Sequence, residues 1–136
     1  MTGSSPRFLS VDDVLRLHRI AIADQGGDPG IRDRGLLESA LAQPTQQIAG
    51  QYTHDDIPSM AAAYLYHLCR NHPFVDGNKR AGLAASIAFL IDNDYHISAS
   101  HQEVERAVLS TADGSWSKER LTLWMRNCTT HRGERA

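Results

Sequence analysis

The sequence has little of what marks a specialised class. Only two of its 136 residues are cysteine, Cys69 and Cys128, too few for the disulfide framework of a secreted scaffold. No His/Cys spacing makes a zinc site. The N-terminus, MTGSSPRFLS, holds no apolar signal core. The longest apolar stretch, Ala81 to Ile91, has about half the length a membrane span needs. Lysine is scarce, with Lys79 and Lys118 the only two, and the formal net charge is -2. That balance gives no general attraction to nucleic acid or to an anionic membrane. Internal repeats, low-complexity linkers and strand-like alternation are also missing. The expectation is a soluble, cytosolic protein with no membrane contact and no direct nucleic-acid binding.

What is present is a globular chain. Hydrophobic residues make up 41%, inside the ordinary range for folded domains. A chain of this length buries roughly two-thirds of its unfolded surface, so it needs no metal or disulfide to fold. One domain over residues 1–136 is expected, with a core at about 8–126 and a frayed polar tail at 128–136. The chain reads as six helices, an all-α domain. Ser10 with Asp13 opens the first, and Gly26-Gly27 ends it. The second runs from about Asp33 to Gln43, before Pro44. Residues 44–55 form a connector. Asp56 caps the third helix, Pro58 sits in its first turn, and it ends near His72, which precedes Pro73. The fourth, about Asn78 to Asn93, is apolar on more than one side and is expected to be the central, most buried helix. YHIS reads as a short extended segment. Ser100 with Glu103 opens the fifth helix, Asp113-Gly114 breaks it, and Ser117 opens the sixth, with Trp116 and Leu121 placed as a hydrophobic staple.

One stretch breaks a local rule. NHPFVDGNKRAG, residues 71–82, places Lys79 and Arg80 in the first turn of the apolar fourth helix. A helix start is already positive, so each cation there costs roughly 0.3–1 kcal/mol at exposed sites. A bound anion removes that cost, and the bare N–H groups of a helix start form an anion site. Phosphate fits: Arg80 offers a bidentate fork, Lys79 a point charge, Asn78 a cap or an oxygen contact, and Gly77 a sharp backbone turn. Nucleotide phosphates bring Mg²⁺, held by one or two carboxylates, which gives Asp76 a role. His72 brings an imidazole, the side chain suited to act as a base near neutral pH. Base, carboxylate, helix amides and cations are the parts phosphoryl transfer requires.

Taken singly, each residue has a plainer reading. His72 suits a helix C-terminus, Asp76-Gly77 a turn, Asn78 a cap, and Lys79 with Arg80 a solvated face. Their conjunction within nine residues favours the chemical reading. The G-x-x-x-x-G-K-[ST] phosphate loop is absent. Phe74 is the exception in this polar run and is expected to anchor the loop in the core. Cys69 is expected to be a buried thiol. Trp116 and Trp124 fall at core spacing, and His18, His96 and His101 are scattered, structural or exposed.

HPFVDGNKR resembles the signature of the Fic/Doc superfamily, H-x-F-x-[D/E]-[G/A]-N-[G/K]-R, through His72, Phe74, Asp76, Gly77, Asn78, Lys79 and Arg80. The resemblance extends over about residues 8–126, and FLSVDDVLRLH with GGDPGIRDRGLLESALAQP is similar to the short Doc, or death-on-curing, branch. It implies a compact helical Fic-type domain acting as the toxin of a toxin–antitoxin pair. It also implies His72 as general base, Asp76 as Mg²⁺ ligand, and Gly77, Asn78, Lys79 and Arg80 around ATP phosphates. Arg70 stands where Doc has a basic residue. The implied reaction moves the ATP γ-phosphate to a hydroxyl of elongation factor Tu, arresting translation.

AMP-transferring Fic enzymes carry G-N-G-R-x-x-R, and Lys79 and Leu83 depart from that pattern in the Doc direction. Gly77 is the Fic residue, where Doc has Ala. AMP transfer is therefore the alternative reaction, and a non-catalytic binding module using the same site is a third reading. The self-inhibitory [ST]-x-x-x-E-[GN] pattern is approached at Ser115–Glu119 and Thr130–Glu134, but Arg follows each Glu. Inhibition is thus expected in trans, from a small Phd-like antitoxin.

Overall fold

Among the described residues, five of the six helices begin on a side chain that satisfies their first amides. The computed structural model describes residues 5–133. In chain order the elements are α1 (Val11–Gln25), α2 (Arg34–Ala42), β1 (Gln47–Ile48), β2 (Gln51–Tyr52), α3 (Ile57–Asn71), α4 (Asn78–Asp92), β3 (Tyr95–Ile97), α5 (His101–Ala112), α6 (Lys118–Cys128) and β4 (Thr129–His131). Ser10, Asp33, Asp56, Ser100 and Ser117 each accept from the backbone N–H three residues on. Each cap is worth about 1 kcal/mol. Gly26, at φ 85°, ends α1.

The core is built on the crossing of α3 and α4. A Cβ at Gly82 would lie 3.2 Å from Cys69 Sγ and 3.3 Å from the Leu65 carbonyl oxygen, so α4 rests almost directly on the α3 backbone. Buried Ser86 donates to the Ala61 carbonyl at 3.0 Å, which satisfies its hydroxyl inside the contact. One apolar cluster runs from Leu9 to Met125. The all-α expectation with a buried central helix holds, but the helix differs. Ten residues of α3 are buried against seven of α4. The reason is position: α3 packs against α2, α4, α5 and α6, whereas α4 leaves Ile87 and Ile91 exposed. Cys69 is buried as expected, and burial pushes its thiol up to about 12. Trp116 and Trp124 are half-buried against the core.

Two small antiparallel pairs complete the chain. The 44–55 connector contains the β1–β2 hairpin. YHIS is extended as expected, because β3 pairs with β4 in the register Tyr95↔His131 and Ile97↔Thr129. This corrects the frayed end expected from 128. Residues 129–131 are held by that pairing, by Thr129 Oγ1 donating to the Met125 carbonyl, and by the Arg132 amide on the Asp94 carbonyl. Residues 134–136 of the expected tail lie outside the described residues. Among the described residues, no helix is long and apolar enough to cross a membrane.

His54 and His67 lie within electrostatic reach of Lys118. Burial, then the Lys118 charge, lowers both, His67 to about 4. Among the described residues, His54 Nδ1 and His67 Nε2 have no hydrogen-bond partner. The unfolded chain takes up these protons first, near pH 6.5, so stability is full above that pH and falls as pH drops toward 4. Thermal melts across this window should fall for the wild type and fall less for His67→Phe. Equal slopes would show that His67 is not the linked group.

Candidate functional site

The signature forms the turn between α3 and α4, and its shape is imposed by residues far away in sequence. α3 ends at His72, which takes a left-handed backbone at φ 55°. A non-glycine residue there costs of order 1–3 kcal/mol and needs support. Arg32 supplies it: its Nε donates to the His72 carbonyl at 2.6 Å and its Nη2 to the Asn71 carbonyl at 3.0 Å. The Arg32 and Asp33 amides both donate to the Pro73 carbonyl, and the Val75 amide to Gly30. The 26–33 loop thus runs alongside the signature, bridged at Ile31↔Phe74.

Phe74 is fully buried, as expected of an anchor. Its ring stacks on His18 at 3.7 Å between centroids and 7° between planes. His18 is itself buried, and its Nε2 donates to the Asp76 carbonyl at 2.7 Å. His18 is therefore part of the site's frame, a role the sequence did not announce. Asn78 is buried in the first turn of α4. Its Oδ1 accepts from the Phe74 amide at 2.9 Å, and its Nδ2 donates to the Phe74 carbonyl at 2.9 Å and to His72 Nδ1 at 3.0 Å.

The groups left for chemistry are few. His72, Asp76 and Lys79 are exposed. Asp76 Oδ2 accepts from the Asp28 amide at 2.8 Å, and its Oδ1 has no hydrogen-bond partner among the described residues. No cluster of three or more His, Cys, Asp or Glu side chains is placed to hold a metal among those residues. A lone carboxylate suits Mg²⁺, which takes most of its ligands from water and substrate phosphate. The start of α4 has no side-chain cap, unlike the other five helices, so its first amides suit an anion. Lys79 and half-buried Leu83 also line a cleft of about 210 Å³, with Val104 and Val108 of α5 on its far wall.

Two expected phosphate ligands are engaged elsewhere. Arg80 donates to the Ala21 carbonyl at 3.2 Å and the Gly26 carbonyl at 3.1 Å, which ties α4 to the end of α1 and leaves other donors of its fork unused. Arg70 Nη1 donates to the Ala112 carbonyl at 3.3 Å, at the end of α5. Of the pattern-like segments, Ser115–Glu119 spans the turn into α6, and Glu134 lies outside the described residues.

The Fic/DOC family model matches residues 8–90. A protein named Toxin Doc from Mycolicibacterium smegmatis is 40% identical over 100 residues, 74% of each chain. A protein named Protein kinase doc from Escherichia phage P1 is 31% identical over 91 residues, 67% of this chain and 71% of that one. The chain belongs to the Fic/Doc family.

Gly77 sits at φ 80°, and a Cβ there would meet Ile22 Cδ1 at 3.1 Å and His18 Nε2 at 3.4 Å. Left-handed backbone costs an ordinary residue roughly 1–2 kcal/mol. Gly77→Ala should lose about that much in chemical denaturation. An unchanged midpoint would mean that the turn tolerates a side chain.

Proposed function

We propose that this protein is a Doc-type toxin that moves the γ-phosphate of ATP to a hydroxyl of a translation protein, with elongation factor Tu the expected target. The observation that carries the reading is the intact conjunction of exposed His72, exposed Asp76 and the uncapped start of α4. The names of the two relatives, a toxin and a protein kinase, support it. ATP with Mg²⁺, when bound, supplies the transferable phosphoryl group and neutralises its charge. Asp76 Oδ1 is the carboxylate oxygen available for the metal. Lys79 and the first amides of α4 receive phosphate, and Arg80 holds that helix start in place. His72 takes the hydroxyl proton. The cytoplasm, where translation runs, is the matching location, and a Phd-like antitoxin is the matching inhibitor.

AMP transfer is the second reading, favoured by one observation. Gly77 adopts the left-handed turn that glycine allows, and it is the residue of the AMP-transferring branch. Parallel reactions with Mg²⁺, elongation factor Tu or host lysate, and either γ- or α-labelled ATP separate the two. Label on protein from γ alone is the expected result, falling roughly 10²–10⁴-fold in His72→Ala. Label from α would replace phosphotransfer by AMP transfer. No labelled protein in any sample, with wild type and variant alike in arresting growth, would count for a binding module.

A further inference from the structure

We propose that Asn78 is a positioning residue that holds His72 in the tautomer protonated on Nε2, so that the ring must turn before it can accept a substrate proton. This rests on the reading of His72 as the base. The polarity of the Phe74 backbone is fixed, an amide that donates and a carbonyl that accepts. Its amide donates to Asn78 Oδ1 and its carbonyl accepts from Asn78 Nδ2, both at 2.9 Å. Those two bonds decide which end of the Asn78 amide is oxygen and which is nitrogen, an assignment that otherwise rests on the wider network. Asn78 is only 5% exposed and Phe74 is fully buried, so water does not readily replace either bond.

The other Nδ2 hydrogen points at His72 Nδ1, 3.0 Å away. Nδ1 must therefore offer its lone pair, and the single proton of a neutral imidazole sits on Nε2. The opposite tautomer would set two N–H groups face to face. Turning the Asn78 amide to accommodate it would oppose oxygen to the Phe74 carbonyl and break two buried hydrogen bonds. The backbone of His72 is fixed as well, by Arg32 on its carbonyl, so freedom remains only in the His72 side chain.

The consequence concerns what the resting site offers. Nε2 presents a hydrogen-bond donor, suited to a hydroxyl or phosphate oxygen, and carries no free lone pair. Proton uptake requires Nδ1 to leave Asn78 and face the incoming hydroxyl. The substrate O–H bond then breaks and an N–H bond forms at Nδ1, leaving an imidazolium. The oxygen electron pair forms the new bond to the γ-phosphorus of ATP as the bond to the departing diphosphate oxygen breaks.

The test is nitrogen NMR of the uniformly ¹⁵N-labelled full chain at mildly alkaline pH, with ring signals assigned through a His72→Gln spectrum. The wild type should show an unprotonated Nδ1 and a protonated Nε2 without averaging. Asn78→Asp puts an acceptor opposite Nδ1 and should move the proton there, exposing a lone pair on Nε2. Asn78→Ala should give averaged shifts. A wild-type Nδ1–H form overturns the proposal, and so do variants that keep the wild-type pattern. Should neither variant fold, the wild type decides alone: unaveraged shifts with a scalar coupling between Asn78 Nδ2 and His72 Nδ1 support it, and averaged ring shifts overturn it. These readouts need no ATP. A confirmed tautomer without transferred label would sink the phosphotransfer reading only, and transferred label with an Nδ1–H ring would sink this inference only.

Discussion

The turn between the two central helices hangs on Phe74. An aromatic ring taken wholly out of water contributes about 1.5–3 kcal/mol, and this one also fixes geometry. Its ring meets His18, and its backbone amide and carbonyl are both taken by Asn78. Its neighbour Pro73 accepts from the Arg32 and Asp33 amides. With Phe74 pinned, His72 emerges on one side and Asp76 on the other, four residues apart and both exposed. The strained backbone of His72 persists because Arg32 covers the carbonyls beside it.

The cations of the signature turn out to have divided labour. A pair of positive charges at a helix start looks wasteful by local rules. Arg80 escapes part of that cost by turning away from the helix start and binding two carbonyls at the end of α1, where the helix dipole is negative. Lys79 has no such partner among the described residues and lines the α4–α5 cleft, which Arg80 also borders. One cation therefore builds the frame and the other stays open to an anion. This arrangement follows from geometry: a planar fork suits two backbone carbonyls, and a flexible point charge suits a ligand that comes and goes.

Much of the fold was legible because helix starts are encoded locally. Ser10, Asp33, Asp56, Ser100 and Ser117 each find their partner three residues on, a distance any sequence window covers. The signature was legible for the same reason, with its chemistry inside nine positions. The missed pieces are all long-range. His18 meets Asp76 across 58 positions, Arg32 meets His72 across 40, and β3 pairs with β4 from about 34 positions away. Nothing in the local pattern around His18 separates it from an ordinary helix residue. The relative burial of α3 and α4 was illegible too. α4 is the more uniformly apolar to the eye, but burial is decided by what surrounds a helix: α3 packs against four helices, α4 against three and the short strand β3.

The same division explains why Asn78 invites a role beyond capping. A helix cap accepts hydrogen bonds from the helix, and Asn78 does not: α4 starts without any side-chain cap, and the Asn78 amide faces backward into the turn. The α4 start is left without a side-chain cap, and the amide turned back into the turn reaches His72 Nδ1. A Ser or Asp at this position would lack the Nδ2 hydrogens that reach both the Phe74 carbonyl and His72 Nδ1. Only a side-chain amide presents one acceptor and two donors in a plane. The identity of this residue is therefore set by three hydrogen bonds at once, one of which ends on the histidine.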